Sequence, residues 1–377
     1  MSIVRRRAPV ACFLALLLTV VWGQAALAAA GGLDTTFGGD GKVLTNFTPR
    51  FDGANGIVIQ PGGKVVAVGQ AAGLNKFALA RYNPNGSLDR TFGGDGRVTT
   101  FFQGGGAAAA VALQVGGKIV AGGEANGKFA LARYNLDGTR DTSFGGDGRV
   151  TTSFTKHSGR ANDVAVKHNG KIVAAGTFLA PTKNHPFDAR FAVARYRADG
   201  TLDDTFSGNG KVLTNFTGAG DLASGVAVRP SGKIVAAGVA GEGEGLDVFD
   251  TTFALARYDA DGSLDRAFGG DGKVTTNFTK AEDGASDIGI QDDGKIVAAG
   301  SAAGSGGRFA LARYHPDGTR DHAFGGDGRV TTRFHGGGRA HAAAIQGDGK
   351  IVAAGAAGAG SSSTNDAKFA LARYLAA

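Results

Sequence analysis

One unit returns six times along this chain, and no other feature constrains the fold as much. The string Phe77-Ala-Leu-Ala-Arg-Tyr82 comes back with small changes from Phe129, Phe191, Phe253, Phe309 and Phe369. Phe37-Gly-Gly-Asp-Gly-Lys-Val43 comes back from Phe92, Phe144, Phe206, Phe268 and Phe324. Gly63-Lys-Val-Val-Ala-Val-Gly69 comes back from Gly117, Gly170, Gly232, Gly294 and Gly349. Self-similarity at a period of 52 to 62 residues marks a solenoid, propeller or array, in which each unit buries its apolar surface against its neighbours.

Each unit reads as four strands. Lys171-Ile-Val-Ala-Ala-Gly176 is a short apolar run bounded by glycine, too short for a helix and suited to a strand buried on both faces. In Phe77 to Tyr82, Phe77, Leu79 and Arg81 point one way and Ala78, Ala80 and Tyr82 the other. Asp163 to Lys167 gives another strand, and Lys211 to Phe216, richer in Thr and Asn, an outer one wetted on one side. Four strands in six units predict an all-β, six-bladed β-propeller of four-stranded blades. The last unit stops after Tyr374 without an outer strand, while the chain carries a spare one from Lys42 to Phe47. The expectation is a ring closed by that N-terminal strand completing the last blade.

The units resemble the delta-60 repeat, a bacterial repeat regarded as a propeller unit and often found in exported proteins. The resemblance rests on Gly232-Lys-Ile-Val-Ala-Ala-Gly238, Phe253-Ala-Leu-Ala-Arg-Tyr258 and Gly262-Ser-Leu-Asp-Arg-Ala-Phe268, with similar runs from Leu33 to Tyr374. It implies a propeller and no particular activity, since function lies in sites grafted on a fold.

The N-terminus predicts export. Arg5, Arg6 and Arg7 precede an apolar stretch from Val10 to Trp22, and Ala26-Leu27-Ala28 is a cleavage signal. That stretch has 13 residues, short of the ~20 a membrane-spanning helix needs. The chain therefore divides into a signal peptide, 1–28, and one propeller domain, 29–377. The expected location is secreted or periplasmic, without stable membrane insertion after cleavage. Cys12, Met1 and Trp22 all leave with the signal, so the exported chain has no disulfide and no thiolate metal site. Discounting the three signal arginines lowers the formal charge from +7 to +4. Lys and Arg recur at repeat positions and form no runs, which excludes a nucleic-acid track.

Length variation is confined to one place in the unit. From the repeat Tyr to the basic residue opening the outer strand is always 15 positions, and from there to the Lys of Gly-Lys-Ile-Val is 21 or 22. From that Lys to the next Phe the distance runs from 11 (Lys118 to Phe129) to 20 (Lys171 to Phe191). The variable hairpin joins the second and third strands, on the face that also carries the blade-to-blade connections. Loops on a rigid scaffold are where recognition is built. The third blade's loop holds Lys183, His185 and Arg190, and the fourth blade's holds Glu242, Glu244, Asp247 and Asp250. These seven residues form the candidate binding set, a basic loop beside an acidic one, fit to bracket a glycan or a protein partner.

No cofactor is expected. The acidic loop could hold Ca²⁺ through oxygen ligands, although its spacing follows no calcium motif. Asp259-Ala-Asp261-Gly262 resembles the start of a calcium loop, yet Arg197 holds the equivalent first position in another unit, so a turn capped by Asp is the better reading. Arg81, Arg133, Arg195, Arg257, Arg313 and Arg373 sit in apolar strands and need partners. Asp34, Asp89, Asp141, Asp203, Asp265 and Asp321 recur as regularly and supply them, a structural rung and not an active site. No catalytic motif is present: no Gly-x-Ser-x-Gly, no His-Glu-x-x-His, no cysteine nucleophile. Of the scattered histidines, His157, His185 and His335 are expected on the variable face and His341 near the channel. The sequence thus favours a non-enzymatic binding or scaffold propeller. The alternative is a channel-mouth hydrolase or lyase acting on a polysaccharide or its fragments.

Overall fold

The computed structural model describes residues 33–50, 52–71, 75–155, 157–179, 188–216, 219–242, 250–303, 307–358 and 368–376. They form six antiparallel sheets in chain order and no helix. The first blade is β1 (Asp52–Ile59), β2 (Val65–Ala71), β3 (Lys76–Tyr82) and β4 (Arg97–Thr100). The second is β5 (Ala107–Leu113), β6 (Ile119–Ala125), β7 (Lys128–Tyr134) and β8 (Arg149–Thr152). The third is β9 (Gly159–Val166), β10 (Ile172–Leu179), β11 (Ala189–Tyr196) and β12 (Lys211–Thr214). The fourth is β13 (Ala219–Val228), β14 (Ile234–Glu242), β15 (Asp250–Tyr258) and β16 (Lys273–Thr276). The fifth is β17 (Asp283–Ile290), β18 (Ile296–Ala302), β19 (Arg308–Tyr314) and β20 (Arg329–Thr332). The sixth has three strands, β21 (Gly338–Ile345), β22 (Ile351–Ala357) and β23 (Lys368–Tyr374). The protein is a six-bladed β-propeller.

The repeated glycine of the second strand has a steric cause. In every blade the innermost strand carries a β-bulge, for example at Asn162, where the register to β10 shifts. The bulge pushes backbone toward the facing strand, and a Cβ on Gly176 would collide with the Arg160 carbonyl. The glycine of the Asp-Gly turn serves the contact between blades. Gly138 has φ +86°, and a side chain there would run into the Phe92 ring of the preceding blade.

The blades are held by apolar clusters between them and by a ladder of charges. Five clusters of buried residues each span two consecutive blades. In the third blade Arg195 Nε donates to Asp203 Oδ2 at 2.7 Å, Lys171 lies 2.7 Å from the same carboxylate, and Arg195 also reaches the Ala260 carbonyl of the next blade. Its guanidinium lies 4.6 Å from the centroid of the Phe206 ring. Arg81–Asp89, Arg133–Asp141, Arg257–Asp265 and Arg313–Asp321 repeat the pair, so the structural rung expected from the sequence is formed in the first five blades. The repeat tyrosines add a second link: Tyr196 Oη donates to Thr152 Oγ1 of the preceding blade at 2.8 Å.

The N-terminal segment is docked on one side. Tyr82 Oη donates to Thr45 Oγ1 at 2.8 Å, as Tyr134 does to Thr100 at 2.7 Å. Gly38 N donates to Asn85 O at 2.8 Å, as Gly93 N does to Asp137 O at 2.8 Å. Residues 42–47 thus take, against the first blade, the place of a preceding blade's outer strand. They form no strand with β23, so the closing pairing expected from the sequence is not made among the described residues. Both sides of the seam are bare: Leu371 is 64% exposed and Leu44 98%, whereas Leu79, Leu131, Leu255 and Leu311 are fully buried. The first five outer strands follow their own blade directly in sequence, whereas residues 42–47 are separated from β23 by the whole ring and already dock on the first blade.

Candidate functional site

In these up-and-down blades the turns between second and third strands share a face with the blade-to-blade connections, and the turns between first and second strands lie on the opposite face. On the first face the blades are unequal. The second blade closes with Asn126-Gly127, both at positive φ (49° and 68°), straight after the pair Ala125↔Lys128. The third blade's ladder runs one pair further, to Leu179↔Ala189, and the fourth blade's two pairs further, to Glu242↔Asp250. The third and fourth blades, whose loops carry the candidate residues, therefore also have taller strands, whereas the sixth blade's ladder, under a hairpin nearly as long, ends at Ala357↔Lys368. Thr251 Oγ1 donates to the Asp283 carbonyl at 2.9 Å and ties the fourth blade's extension to the fifth blade.

Of the seven candidate residues, Lys183, His185, Glu244 and Asp247 lie outside the described residues. Glu242 ends β14 opposite Asp250, which is exposed at the start of β15. Arg190, on β11, lies 2.9 Å from Asp188. Asp188 is buried and absent from the candidate set, so part of the positive charge assigned to the third blade's loop is neutralised within its own hairpin. The signal available in the sequence was the Asp-x-Arg spacing beside the strand.

Around the central axis the bulges bring polar side chains onto the innermost strands. Asn162 Nδ2 donates to Ala223 O at 2.6 Å, and Asn55 Nδ2 to Ala108 O at 2.8 Å, each reaching the next blade. Asp163 accepts from Val164 N and from Val226 N of the fourth blade, both at 2.7 Å. Asp287 accepts from Ile288 N at 2.7 Å and from Ala343 N of the sixth blade at 2.8 Å. Burial, with the negative charge of Asp287 adding to it, pushes the Asp163 carboxyl up to about 7 against the pull of its backbone donors. Burial raises Asp287 as well. His341 sits exposed at the bulge of β21, on the inner strand where the sequence placed it. The two aspartates were not legible as a pair, because their blades lie two apart and only the ring brings them into electrostatic reach.

The Asp-x-Asp-Gly run is a capped turn. Asp261 Oδ1 accepts from Ser263 N (2.9 Å) and Ser263 Oγ (2.7 Å), while Asp259 and Asp265 are both paired with Lys233. Among the described residues no group of three His, Cys, Asp or Glu is placed to hold a metal ion.

A family profile described as "Domain of unknown function (DUF5122) beta-propeller" matches residues 60–92, 117–144, 187–206, 229–268 and 291–324, one stretch in each of the first five blades. The chain is thus a propeller repeat protein by sequence as well as by fold. No curated protein matches it. Among solved structures it is similar to a glucose dehydrogenase (13% identity, 86% of this chain and 96% of that one, TM-score 0.48). It is also similar to a gluconolactonase from Xanthomonas campestris (13%, 80% and 82%, TM-score 0.42) and to a calcium-binding regucalcin from Agrobacterium tumefaciens (14%, 81% and 82%, TM-score 0.37).

Proposed function

We propose that this chain is an exported, non-enzymatic binding propeller of the delta-60 type, which recognises a glycan or a protein partner through the long-hairpin face of its third and fourth blades. The observation that carries this reading is the asymmetry of an otherwise regular ring. Only the hairpins joining second to third strands vary substantially in length, and the ladders beneath those of the third and fourth blades are extended by one and two pairs. The test replaces Glu242, Glu244, Asp247 and Asp250 by their amides and compares both proteins by thermal shift against neutral and charged oligosaccharides and Ca²⁺. A saturating ligand at about 100 times its dissociation constant adds roughly 2.7 kcal/mol to stability, enough to read as a shift. Loss of the shift in the variant, with its ligand-free melting unchanged, supports the reading. A shift that survives the substitutions removes this loop from the site.

A second reading draws on the raised Asp163 carboxyl, which suits acid–base chemistry at the central axis. Both its oxygens are engaged by backbone donors, which favours a clasp between blades. Asp163→Asn should leave the melting temperature lower and no turnover to lose; stoppage of a turnover seen with the parent protein would restore the channel-enzyme reading.

A further inference from the structure

On the face opposite the long hairpins, the turn between first and second strands is nearly the same in all six blades, and one position in it breaks the pattern. It is Gln60, Gln114, Gln291 and Gln346 in four blades, but Lys167 in the third and Arg229 in the fourth. The backbone is unchanged: Lys167 N donates to Lys171 O at 2.8 Å, as Gln114 N does to Lys118 O at 2.9 Å. The link to the next blade also survives. Gln114 Nε2 donates to Gly170 O at 2.6 Å, and Lys167 Nζ to Gly232 O at 3.3 Å.

What changes is the charge. Gln114 Oε1 accepts from the buried Arg133 at 3.1 Å. Lysine and arginine have no acceptor to offer, so Lys167 and Arg229 instead set a second cation near Arg195 and Arg257. Burial pulls both of their pKa values down, and the charges of Arg195 and Arg257 add to the effect. Among the described residues neither is in ion-pair contact with a carboxylate, since Asp203 and Asp265 are taken by Arg195 with Lys171 and by Arg257 with Lys233. The two cations line one cavity of about 350 Å³, together with His168, Asn169, Ser231 and Gly232. Pockets of this size hold small ligands through a few convergent polar groups. Asp203 and Asp265 offset part of this repulsion without forming an ion pair with either cation. Two adjacent departures from a sixfold pattern, both towards added positive charge and both facing one cavity, are what an anion site requires.

We infer that the third and fourth blades form a pocket for a small oxyanion, free or as the charged group of an acidic sugar, with Lys167 and Arg229 as its cations and Asn169 and Ser231 as its neutral donors. The pocket lies on the other face from the proposed recognition loops and does not depend on them. Its test is calorimetric titration of the purified chain with sulfate, phosphate, glucuronate and uncharged glucose at constant ionic strength. The variant is Lys167→Gln with Arg229→Gln, which writes in the residue carried by the other four blades and so keeps the turn and its link. The expected result is saturable binding of at least one anion and none of glucose, weakened at least tenfold in the double variant, with equal melting of the two proteins without ligand. Tighter binding of glucuronate than of the inorganic ions assigns the pocket to an acidic sugar, and the reverse order to a free ion. Either single variant replaces the double one if the latter melts early. No saturable binding of any of the three anions, or equal affinity in the folded variant, overturns the inference.

Discussion

Replacing Asp203 by Asn should be among the most damaging single changes away from the apolar core. Asp203 is 1% exposed and accepts from Arg195, Lys171 and Thr205, each at 2.7 Å. Asparagine keeps the shape but removes the charge and leaves Arg195, 2% exposed, without its counter-ion. Removing one partner of a buried ion pair costs about 3–5 kcal/mol, against about 0–1 kcal/mol for an exposed pair. The measurement is urea denaturation at pH 7. The pH dependence has a definite sign. Burial alone would raise this carboxyl, but the bonds from Lys171 and Thr205 and the charge of Arg195 outweigh it and hold the carboxyl well below the usual carboxylate range. A depressed folded pKa adds stability above the unfolded value, and that stability is lost as pH falls through the folded one. The parent protein should therefore lose its advantage over Asp203→Asn progressively on acidification below the ordinary aspartate pKa. A loss of under about 1 kcal/mol at neutral pH would mean the rung behaves as a solvated surface pair, and the reasoning would fail. Asp34 supplies the contrast. It occupies the sixth place in the aspartate series, yet here it is exposed, its carboxylate accepts from Thr36, and Arg373 is exposed too. If the ring closes in solution, Asp34→Asn should move the unfolding midpoint in the same direction as Asp203→Asn; in an open ring it should not move it.

Closure has a direct chemical test as well. The pairing Ala78↔Thr99 of the first blade maps onto Ala370 and Leu44, so Ala370→Cys with Leu44→Cys, in a Cys12→Ser background, should oxidise to a disulfide within one chain. A disulfide-linked dimer would mean that the segment closes a second copy, and free thiols that the seam stays open. Gly176→Ala should destabilise by about 1–3 kcal/mol in the same urea assay, because its Cβ meets the Arg160 carbonyl at the bulge. A neutral result would show that β9 moves freely away from β10.

What the sequence made legible was whatever it stated six times. Strand identity, blade count, the Arg–Asp rung and the Asp-Gly turns all follow from repeated strings. Even the facing of Arg81 and Tyr82 to opposite sides is realised, in bonds to Leu136 on one side and Thr45 on the other. What escaped was whatever occurs once. Asp188 neutralises Arg190 from two residues away, yet nothing in the repeat marks it. Asp287 raises the Asp163 carboxyl only because the ring places their blades on a common axis. The bulges that aim Asn55 and Asn162 at the next blade have no periodic signature, since one extra residue in a strand reads as ordinary alternation slipped by one. Lys167 and Arg229 were visible as residues, but their meaning needed the ring, which sets both in one cavity beside the rung arginines.

The central question is whether recognition resides in two hairpins carried by the ring. The deciding measurement exchanges residues 180–187 and 243–249 for the Asn-Gly turn of the second blade and compares the variant with the parent on an array of neutral and charged glycans, alongside its melting curve. The expected result is an unchanged melting temperature and the disappearance of whatever glycan signal the parent gives. Binding that persists on the shortened loops, or a ring that no longer melts cooperatively without them, would contradict it.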